Sequence, residues 1–302
     1  MNQETLPVDQ VPRDALELAV RKLSGLRIPL STYRLQLNHR FRFKDAGAVI
    51  PYLYELGITD CYTSPYFLAR AGSLHGYDIL DHHRLNPEIG TDKEYDEFSE
   101  EIRRHGMGQL LDIVPNHMSI SGGENLWWMD VLENGPSSVY ADFFDIDWKP
   151  VKAVLENKVL LPILGEQYGR VLENQELKLI FEEGAFAVLY YDLKLPLNPS
   201  TYIHILKYRI DHLETEMGKE HVHFQEFLSI LTALNHLPSS TEKDPEKRLE
   251  RRREKEIIKK RLTHLINDSQ GIRAFLAENL QTFNGVPGEP RSFDMLDQLL
   301  SH

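Results

Sequence analysis

The sequence predicts an α/β fold in which parallel strands alternate with helices. Residues 28–37 are rich in apolar and β-branched side chains, which is typical of a strand, and residues 45–56 place apolar side chains at helical spacing before Gly57. Residues 58–64 and 108–114 have the apolar composition of two further strands, and a helical pattern lies between them. This strand–helix–strand–helix–strand order predicts parallel strands joined by right-handed crossovers.

The two helices between these strands differ in how clearly they are marked. Pro51 lies within 45–56, where a proline loses a hydrogen bond and clashes with the preceding turn, so the helix is expected to start later or to kink there. The second helix opens with a capping box at 91–94 and ends near Gly106. Residues 65–90, before this second helix, are predicted to form a long loop.

The pattern changes after the third predicted strand, whose nearly continuous apolar run predicts burial on both faces. Residues 119–200 are irregular and rich in aromatic, acidic and Gly/Pro residues. From about residue 201 the chain is helical, with Asp244-Pro245 as one helix start and Ser269 as another cap. The predicted organisation is a lead segment at 1–27, a first βαβαβ part at 28–118, an inserted subdomain at 119–200 and a helical extension at 201–302.

The composition is that of an ordinary globular protein. Of the 302 residues, 41% are apolar and 26% are charged, and no apolar run approaches the roughly 20 residues that span a bilayer. The net charge of −12 argues against a nucleic-acid partner, and the basic segments 251–253 and 259–261 are interleaved with glutamates, as on a solvated helix face. The single cysteine, Cys61, fits a reducing compartment, and residues 1–25 lack a signal-peptide pattern, so the expected location is the cytoplasm.

Two parallel architectures fit the order of elements, an open doubly wound sheet and a (β/α)8 barrel. No Gly-rich phosphate loop follows the first strand, which argues against a dinucleotide-binding sheet. Polar residues cluster after the second strand, at 75–78, and at the end of the third, at 112–117. Because the loops after all barrel strands open on one face, a barrel would bring these two clusters together.

The two clusters resemble those of the α-amylase superfamily. His75-Gly76-Tyr77-Asp78 is similar to the segment after the second strand of these enzymes, and Asp112-Ile113-Val114-Pro115-Asn116-His117 is similar to their first signature region. Within the superfamily, the chain more closely resembles the maltooligosyltrehalose synthase branch. The segments that suggest this branch are 31–37, 63–65, 112–118, 143–148 and 283–294. The resemblance implies a partial (β/α)8 barrel, its first three strands, with an inserted subdomain and a helical extension.

The resemblance also implies a substrate site made of Tyr77, Asp78, Asp112, Asn116 and His117. Tyr77 would stack on the glucose at the cleavage subsite, and His117 would hydrogen-bond that sugar's primary hydroxyl. Asp112 would orient an arginine. Asn116 would support the strand-end loop or, as in some amylases, bind calcium. No full set of oxygen ligands accompanies Asn116, so no metal ligand is assigned and the need for calcium stays open. No cofactor is expected.

Five further residues each have two interpretations. Trp127 and Trp128 fit a sugar platform and a subdomain core equally well. Tyr33, Arg34 and Gln36 lie on the first strand, where the alternation of side chains sends some into a packed interior and others toward a substrate.

No catalytic residue is expected in this chain. Retaining glycosidic chemistry needs two carboxyl groups roughly 5 Å apart, and the superfamily supplies them after its fourth and fifth strands. Residues 209–212, Arg-Ile-Asp-His, resemble the nucleophile motif. However, Leu206, Ile210 and Leu213 have helical spacing, so Asp211 is not expected to be the nucleophile. The chain is expected to be truncated before the fourth barrel strand.

The activity that the resemblance implies is the rearrangement of the reducing-end α-1,4 linkage of a maltooligosaccharide to α-1,1, a step of trehalose biosynthesis. The chain alone is expected to be inactive. The expected partners are the α-glucan substrate and the missing C-terminal half as a second chain, with no nucleic acid and no membrane. Two alternatives stay open, a non-catalytic truncated remnant and an α-amylase-type hydrolase.

Overall fold

The computed structural model describes residues 15–17, 20 and 28–301. The chain divides into two compact units, Met1–Ser119 and Ile120–His302. The predicted lead segment at 1–27 lies almost entirely outside the described residues. The predicted subdivision of residues 119–302 into an inserted subdomain and a helical extension stays a prediction.

The first unit contains the predicted parallel sheet. In chain order its elements are β1 (Thr32–Leu35), α1 (Phe43–Glu55), β2 (Asp60–Thr63), β3 (Phe67–Ala69), β4 (Ile79–Leu85), α2 (Asp92–Arg104) and β5 (Gly108–Leu111). β1, β2 and β5 form a three-stranded parallel sheet with β2 in the middle, so the predicted α/β organisation with parallel strands is confirmed. The apolar core of this unit joins the sheet to α1 and α2.

Of the two expectations for Pro51, a later start or a kink, the later start is wrong, because α1 begins at Phe43 and runs through Pro51 to Glu55. Pro51 removes one backbone hydrogen bond and crowds the preceding turn, and it lies on the exposed side of α1. The opposite side is fully buried at Phe43, Ala46 and Ile50. We infer that burial of this apolar face outweighs the cost of one lost hydrogen bond.

The second helix follows its prediction closely. Thr91 is the N-cap of α2, and both hydrogen bonds of the predicted capping box with Glu94 are present. Both α1 and α2 end before a glycine in the left-handed region, Gly57 with φ 87° and Gly106 with φ 63°. The sequence signals at the helix ends therefore correspond to real backbone geometry.

Two expectations about the first unit are wrong. Residues 65–90 are not a simple loop, because they contain the antiparallel pair of β3 and β4. β5 is not buried on both faces, because Leu110 is 38% exposed and Leu111 is 50% exposed. The physical reason is that β5 is an edge strand, with β2 on one side and no strand beside it on the other among the described residues.

The second unit combines an antiparallel sheet with helices. Its helices and strands are α3 (Leu126–Asn134), α4 (Tyr168–Glu173), β6 (Leu177–Glu182), β7 (Ala185–Tyr190), β8 (Leu193–Pro196), α5 (Tyr202–Leu206), α6 (Ile210–Met217), α7 (Val222–Asn235), α8 (Pro245–Asp268), α9 (Gln270–Phe283) and α10 (Asp294–Leu300). Short 3-10 turns occur at Ser121–Gly123, Gly135–Ser137, Ala141–Phe143, Ala153–Leu155, Pro199–Thr201 and Pro290–Phe293. The sheet, in the order β6-β7-β8, shows that the expectation of an irregular 119–200 segment is wrong in part.

The helical part of this unit begins where its caps predict. Asp244 is the N-cap of α8, and its side chain accepts hydrogen bonds from two backbone amides of the first turn. Ser269 caps α9, and its hydroxyl accepts a hydrogen bond from one backbone amide, that of Ile272. Sheet and helices share one apolar core, in which Phe186, Tyr202 and Phe227 are almost fully buried.

The expectation that the basic segments of α8 form a solvated face is wrong in part. Arg251 is 1% exposed, and the side chain of Lys259 is only 15% exposed. Lys255, between them, is also buried, and both lysines form ion pairs with Glu133 on α3. A carboxylate from a sequence-distant helix makes this burial possible, because a buried charge needs a partner.

Within the part of the chain that the structure describes, no helix is long and apolar enough to cross a membrane.

Candidate functional site

One face of the parallel sheet carries the polar residues of the candidate site. The strand register places Arg34 beside Tyr62 and Tyr62 beside Leu110. Paired residues of parallel strands point to the same face, and side chains alternate along a strand. Asp112 follows two positions after Leu110, and its side chain reaches Arg34 and Tyr62 on this face. The opposite face, which includes Cys61, packs into the apolar core with α1.

Asp112 connects the two predicted clusters. Its Oδ2 accepts hydrogen bonds from the Tyr77 hydroxyl at 2.5 Å, the Tyr62 hydroxyl at 2.9 Å and Arg34 Nη1 at 3.1 Å. The structure thus brings together Tyr77 from the segment after β2 and Asp112 from the end of β5. This convergence is the geometry that the two sequence clusters predict for a barrel face.

These hydrogen bonds determine the charge of the site. Burial raises the pKa of the Asp112 carboxyl, but the hydrogen bonds from Tyr77, Arg34 and Tyr62 outweigh it, so its pKa lies below the ordinary value. The hydrogen bond to Asp112 is also the main reason why the pKa of the Tyr62 phenol is raised. Asp112 is therefore an ionised acceptor and Tyr62 a neutral donor at neutral pH.

The segment that carries Tyr77 is a tight turn with its own hydrogen bonds. The Ser73 hydroxyl donates to Asp78 Oδ1 at 2.5 Å and accepts from the Gly76 amide at 3.1 Å. Gly76 has φ 76°, and a Cβ at this position would lie 3.2 Å from the Pro65 carbonyl oxygen, so the turn requires glycine. Asp78, predicted as a substrate ligand, thus accepts a hydrogen bond within its own turn and does not take part in the hydrogen bonds around Asp112.

His117 and Asn116 lie beside Tyr77 and are exposed. His117 Nε2 is 3.1 Å from the Tyr77 carbonyl oxygen, and His117 Nδ1 is 3.3 Å from Asn116 Oδ1. A neutral imidazole has one N–H, and a backbone carbonyl can only accept, so Nε2 is the donor to Tyr77. The ring is thereby fixed next to the tyrosine, with an edge open to solvent.

Trp127 and Trp128 have different surroundings in the structure. Trp128 is 7% exposed and packs against Phe144, as in a subdomain core. Trp127 is half-buried and stacks on Tyr140, with ring centroids 5.2 Å apart and an interplanar angle of 6°. The Trp128 side chain has little surface left for a sugar, whereas Trp127 keeps part of its surface.

The nucleophile-like motif lies where its periodicity predicts. Asp211 is in the first turn of α6 and is exposed. Among the described residues, no group of three or more His, Cys, Asp or Glu side chains is arranged to hold a metal ion. The predicted absence of a metal and of a cofactor stays a prediction.

Sequence reasoning missed Tyr62 and left Arg34 undecided. Both face Asp112, and the Arg34 guanidinium lies over the Tyr62 ring, 4.4 Å from its centroid. Strand alternation could have separated Arg34 from Tyr33, which point to opposite faces. The pairing of Arg34 with Tyr62 depends on the register between two strands, which the sequence does not specify.

Comparison with known proteins shows what part of this chain is similar to. Residues 48–172 match the family model "Alpha amylase, catalytic domain". Over 142 residues the chain is 42% identical to a putative maltooligosyl trehalose synthase of Mycobacterium tuberculosis, and the match covers 45% of this chain and 18% of that protein. The matched residues include β2 and β5 of the three-stranded parallel sheet, and the match continues into the second unit.

Solved structures show a similar relationship. The maltooligosyltrehalose synthase of Arthrobacter ramosus is 37% identical with a TM-score of 0.51, and the match covers 57% of this chain and 22% of that structure. Another maltooligosyl trehalose synthase structure is 39% identical with a TM-score of 0.52, covering 56% of this chain and 22% of that structure. The chain thus spans about a fifth of the length of the relatives that it matches.

Proposed function

We propose that this α-amylase-type chain binds a maltooligosaccharide at Tyr77, Asp112 and His117 and belongs to an enzyme that converts the reducing-end α-1,4 linkage to α-1,1. The observation that carries the proposal is the hydrogen bond between Tyr77 and Asp112, which joins two strand-end segments at one site. The similarity to maltooligosyl trehalose synthases supports the choice of reaction.

The side chains of the site suit a neutral sugar. The ring of Tyr77 offers a flat surface to the apolar face of a pyranose. Asp112 Oδ2 is occupied by three donors, but within the described chain no donor is hydrogen-bonded to Oδ1, which can accept a sugar hydroxyl. His117 and Asn116, both exposed, add polar groups beside the ring.

Asp112 does not have the properties of a general acid. Proton donation near neutral pH requires a carboxyl group with a raised pKa, and hydrogen bonding lowers the pKa of Asp112. We propose that the catalytic carboxylates come from further barrel strands, supplied by a second chain, and that the chain alone does not turn over substrate.

Binding by the chain alone tests the first part of this proposal. Calorimetric titration with maltopentaose should give measurable binding, and Tyr77→Ala should weaken it by about fivefold, because a stacked aromatic ring contributes roughly 1 kcal/mol. Tyr33→Ala is the matched control, since Tyr33 lies on the other face of β1 and is 46% exposed. Binding that is absent, or that is equally weakened by both substitutions, would contradict the proposed site.

Products test the second part. The chain should be mixed with a second chain that supplies the remaining barrel strands, and reducing ends of the maltooligosaccharide should be measured over time. Rearrangement to α-1,1 removes reducing ends, whereas hydrolysis of the α-amylase type creates them. Turnover by this chain without a partner would contradict the proposed division of the site, and an unchanged signal in the mixture would favour a non-catalytic remnant.

A further inference from the structure

Arg34 holds Tyr77 and Asp112 simultaneously. Its Nη1 donates to Asp112 Oδ2 at 3.1 Å, and its Nη2 donates to the Tyr77 hydroxyl at 2.8 Å. The same guanidinium lies over the rings of Tyr62 and Tyr77, at 4.4 Å and 5.9 Å from their centroids. The planar fork of the arginine presents these two donors in one fixed geometry, which the flexible stem and compact ammonium of a lysine do not reproduce.

Gln36 holds the backbone of the segment that carries Tyr77. Its Nε2 donates to the carbonyl oxygens of Leu74 at 3.2 Å and His75 at 3.1 Å. Gln36 is two positions after Arg34 and therefore lies on the same face of the chain leaving β1. Its Oε1 is 3.4 Å from Arg34 Nη2, so the two side chains are also in contact.

We propose that Arg34 and Gln36 are positioning residues of the glucan site, with Arg34 fixing the Tyr77 ring against Asp112 and Gln36 fixing the turn behind that ring. This inference rests on the proposed function, because it assumes that the Tyr77 ring is the sugar platform. Neither residue needs to touch the sugar. Their effect on binding follows from keeping the ring in one orientation before the ligand arrives, which reduces the entropy lost on binding.

Fluorine NMR of the full chain tests the orientation of the ring directly. With 3-fluorotyrosine introduced at position 77, the unsubstituted chain should give one sharp resonance. Arg34→Met, Arg34→Lys and Gln36→Leu should each shift or broaden it, because the ring samples several orientations. Arg84→Met is the matched control, since Arg84 forms an arginine–aspartate pair of similar length with Asp81, 3.0 Å, on the same unit. An unchanged resonance in Arg34→Met would overturn the role of Arg34 whether or not the chain binds sugar.

Titration of the same variants with maltopentaose adds the functional readout. Arg34→Met should weaken binding by about tenfold, and Arg34→Lys should not restore it, because the ammonium keeps the charge but loses the two-pronged contact. If Arg34→Lys binds maltopentaose as well as the unsubstituted chain does, only the positive charge at position 34 matters for binding, and the proposal is overturned. If the unsubstituted chain binds and all variants bind equally, the positioning role fails while the proposed function stands. If the unsubstituted chain does not bind, the proposed function fails, and the fluorine resonance alone decides whether Arg34 orients Tyr77.

Discussion

Asp112 directly follows an edge strand, and its Oδ2 accepts three hydrogen bonds from residues that are far apart in sequence. Each donor favours the ionised carboxyl, and Arg34 adds an opposite charge at 3.1 Å. The side chain of Asp112 is 16% exposed, so water screens these interactions only in part. Asp112 therefore stabilises the first unit in addition to its proposed place in the sugar site.

The pH dependence of this stabilisation has a definite sign. The pKa of Asp112 is lower in the folded protein than in the unfolded chain, where it is about 3.9. The stabilisation is therefore fully present above the unfolded value and is lost as the pH falls through the folded value. We expect Asp112→Asn to lower the free energy of unfolding by about 1–3 kcal/mol at pH 7, and the difference from the unsubstituted chain to shrink below about pH 4.

Urea unfolding followed by circular dichroism at pH 7 and at lower pH values measures this difference. Asp96→Asn is the control, because Asp96 is an exposed aspartate on α2 of the same unit. A difference between Asp112→Asn and the unsubstituted chain that is constant down to pH 3 would contradict ionisation as its cause.

The sequence predicts some residues of the candidate site and misses others, and the difference has a physical reason. Tyr77, Asp112, Asn116 and His117 lie in short motifs whose spacing is visible in the chain. Their partner Tyr62 lies in no motif. It joins the site only because the parallel register places it between Arg34 and Leu110, and register arises from packing between distant segments.

Among the elements, α3 and α8 are joined by a buried ion-pair network. Glu133 on α3 is 5% exposed, and its carboxylate pairs with both Lys255, at 2.7 Å, and Lys259 on α8. Burial lowers the pKa of Lys255, but the charge and hydrogen bond of Glu133 outweigh it, so that its pKa is raised. Asp130, also on α3, adds a second contact to Lys255 at 3.3 Å, so Glu133 is the most buried carboxylate of a network and not its only one.

Removing that carboxylate should be costly. Glu133→Gln removes the most buried carboxylate that faces both lysines and leaves them Asp130 and Glu256. We expect the free energy of unfolding to fall by about 1–3 kcal/mol, because the buried positive charge is then only partly compensated. Denaturant unfolding of the full chain measures the change. The control is Glu182→Gln. Glu182 pairs with Lys194 at 2.6 Å, but the Lys194 side chain is 45% exposed, so this substitution should lower the free energy of unfolding by less than about 1 kcal/mol. Equal losses in both variants would contradict a buried network.

The elements also differ in how well the sequence predicts them. Helices α2, α8 and α9 carry local caps at Thr91, Asp244 and Ser269, and the structure confirms all three starts. The strand pairs β3–β4 and β6–β7 were missed, because short antiparallel strands are stabilised by cross-strand contacts more than by local patterns. The charge pattern of α8 was misleading for a related reason, since the partner of its buried lysines lies on α3, more than 120 residues away.

At the scale of the whole molecule, the first unit has an open parallel sheet. β5 forms one edge, and near it Leu110, Leu111 and Ile113 are exposed large apolar side chains. Natural proteins usually cover or charge such an edge, because its free backbone groups pair readily with other strands. The exposed edge supports the proposal that further barrel strands pair with β5.

Such an edge should make the chain associate with itself when no covering strand is present. We expect sedimentation velocity to show association that increases with concentration, and Leu111→Lys to raise the concentration of half-association by tenfold or more, because burying one leucine contributes roughly 1.5–3 kcal/mol. Leu111 is the suitable position because it is 50% exposed on β5 itself.

Val154→Lys is the control, since Val154 is 71% exposed but lies in the second unit. If both substitutions reduce association equally, general surface hydrophobicity and not the β5 edge drives it. A second chain that pairs with β5 should suppress association of the unsubstituted chain, whereas unchanged association in its presence would contradict the proposed pairing.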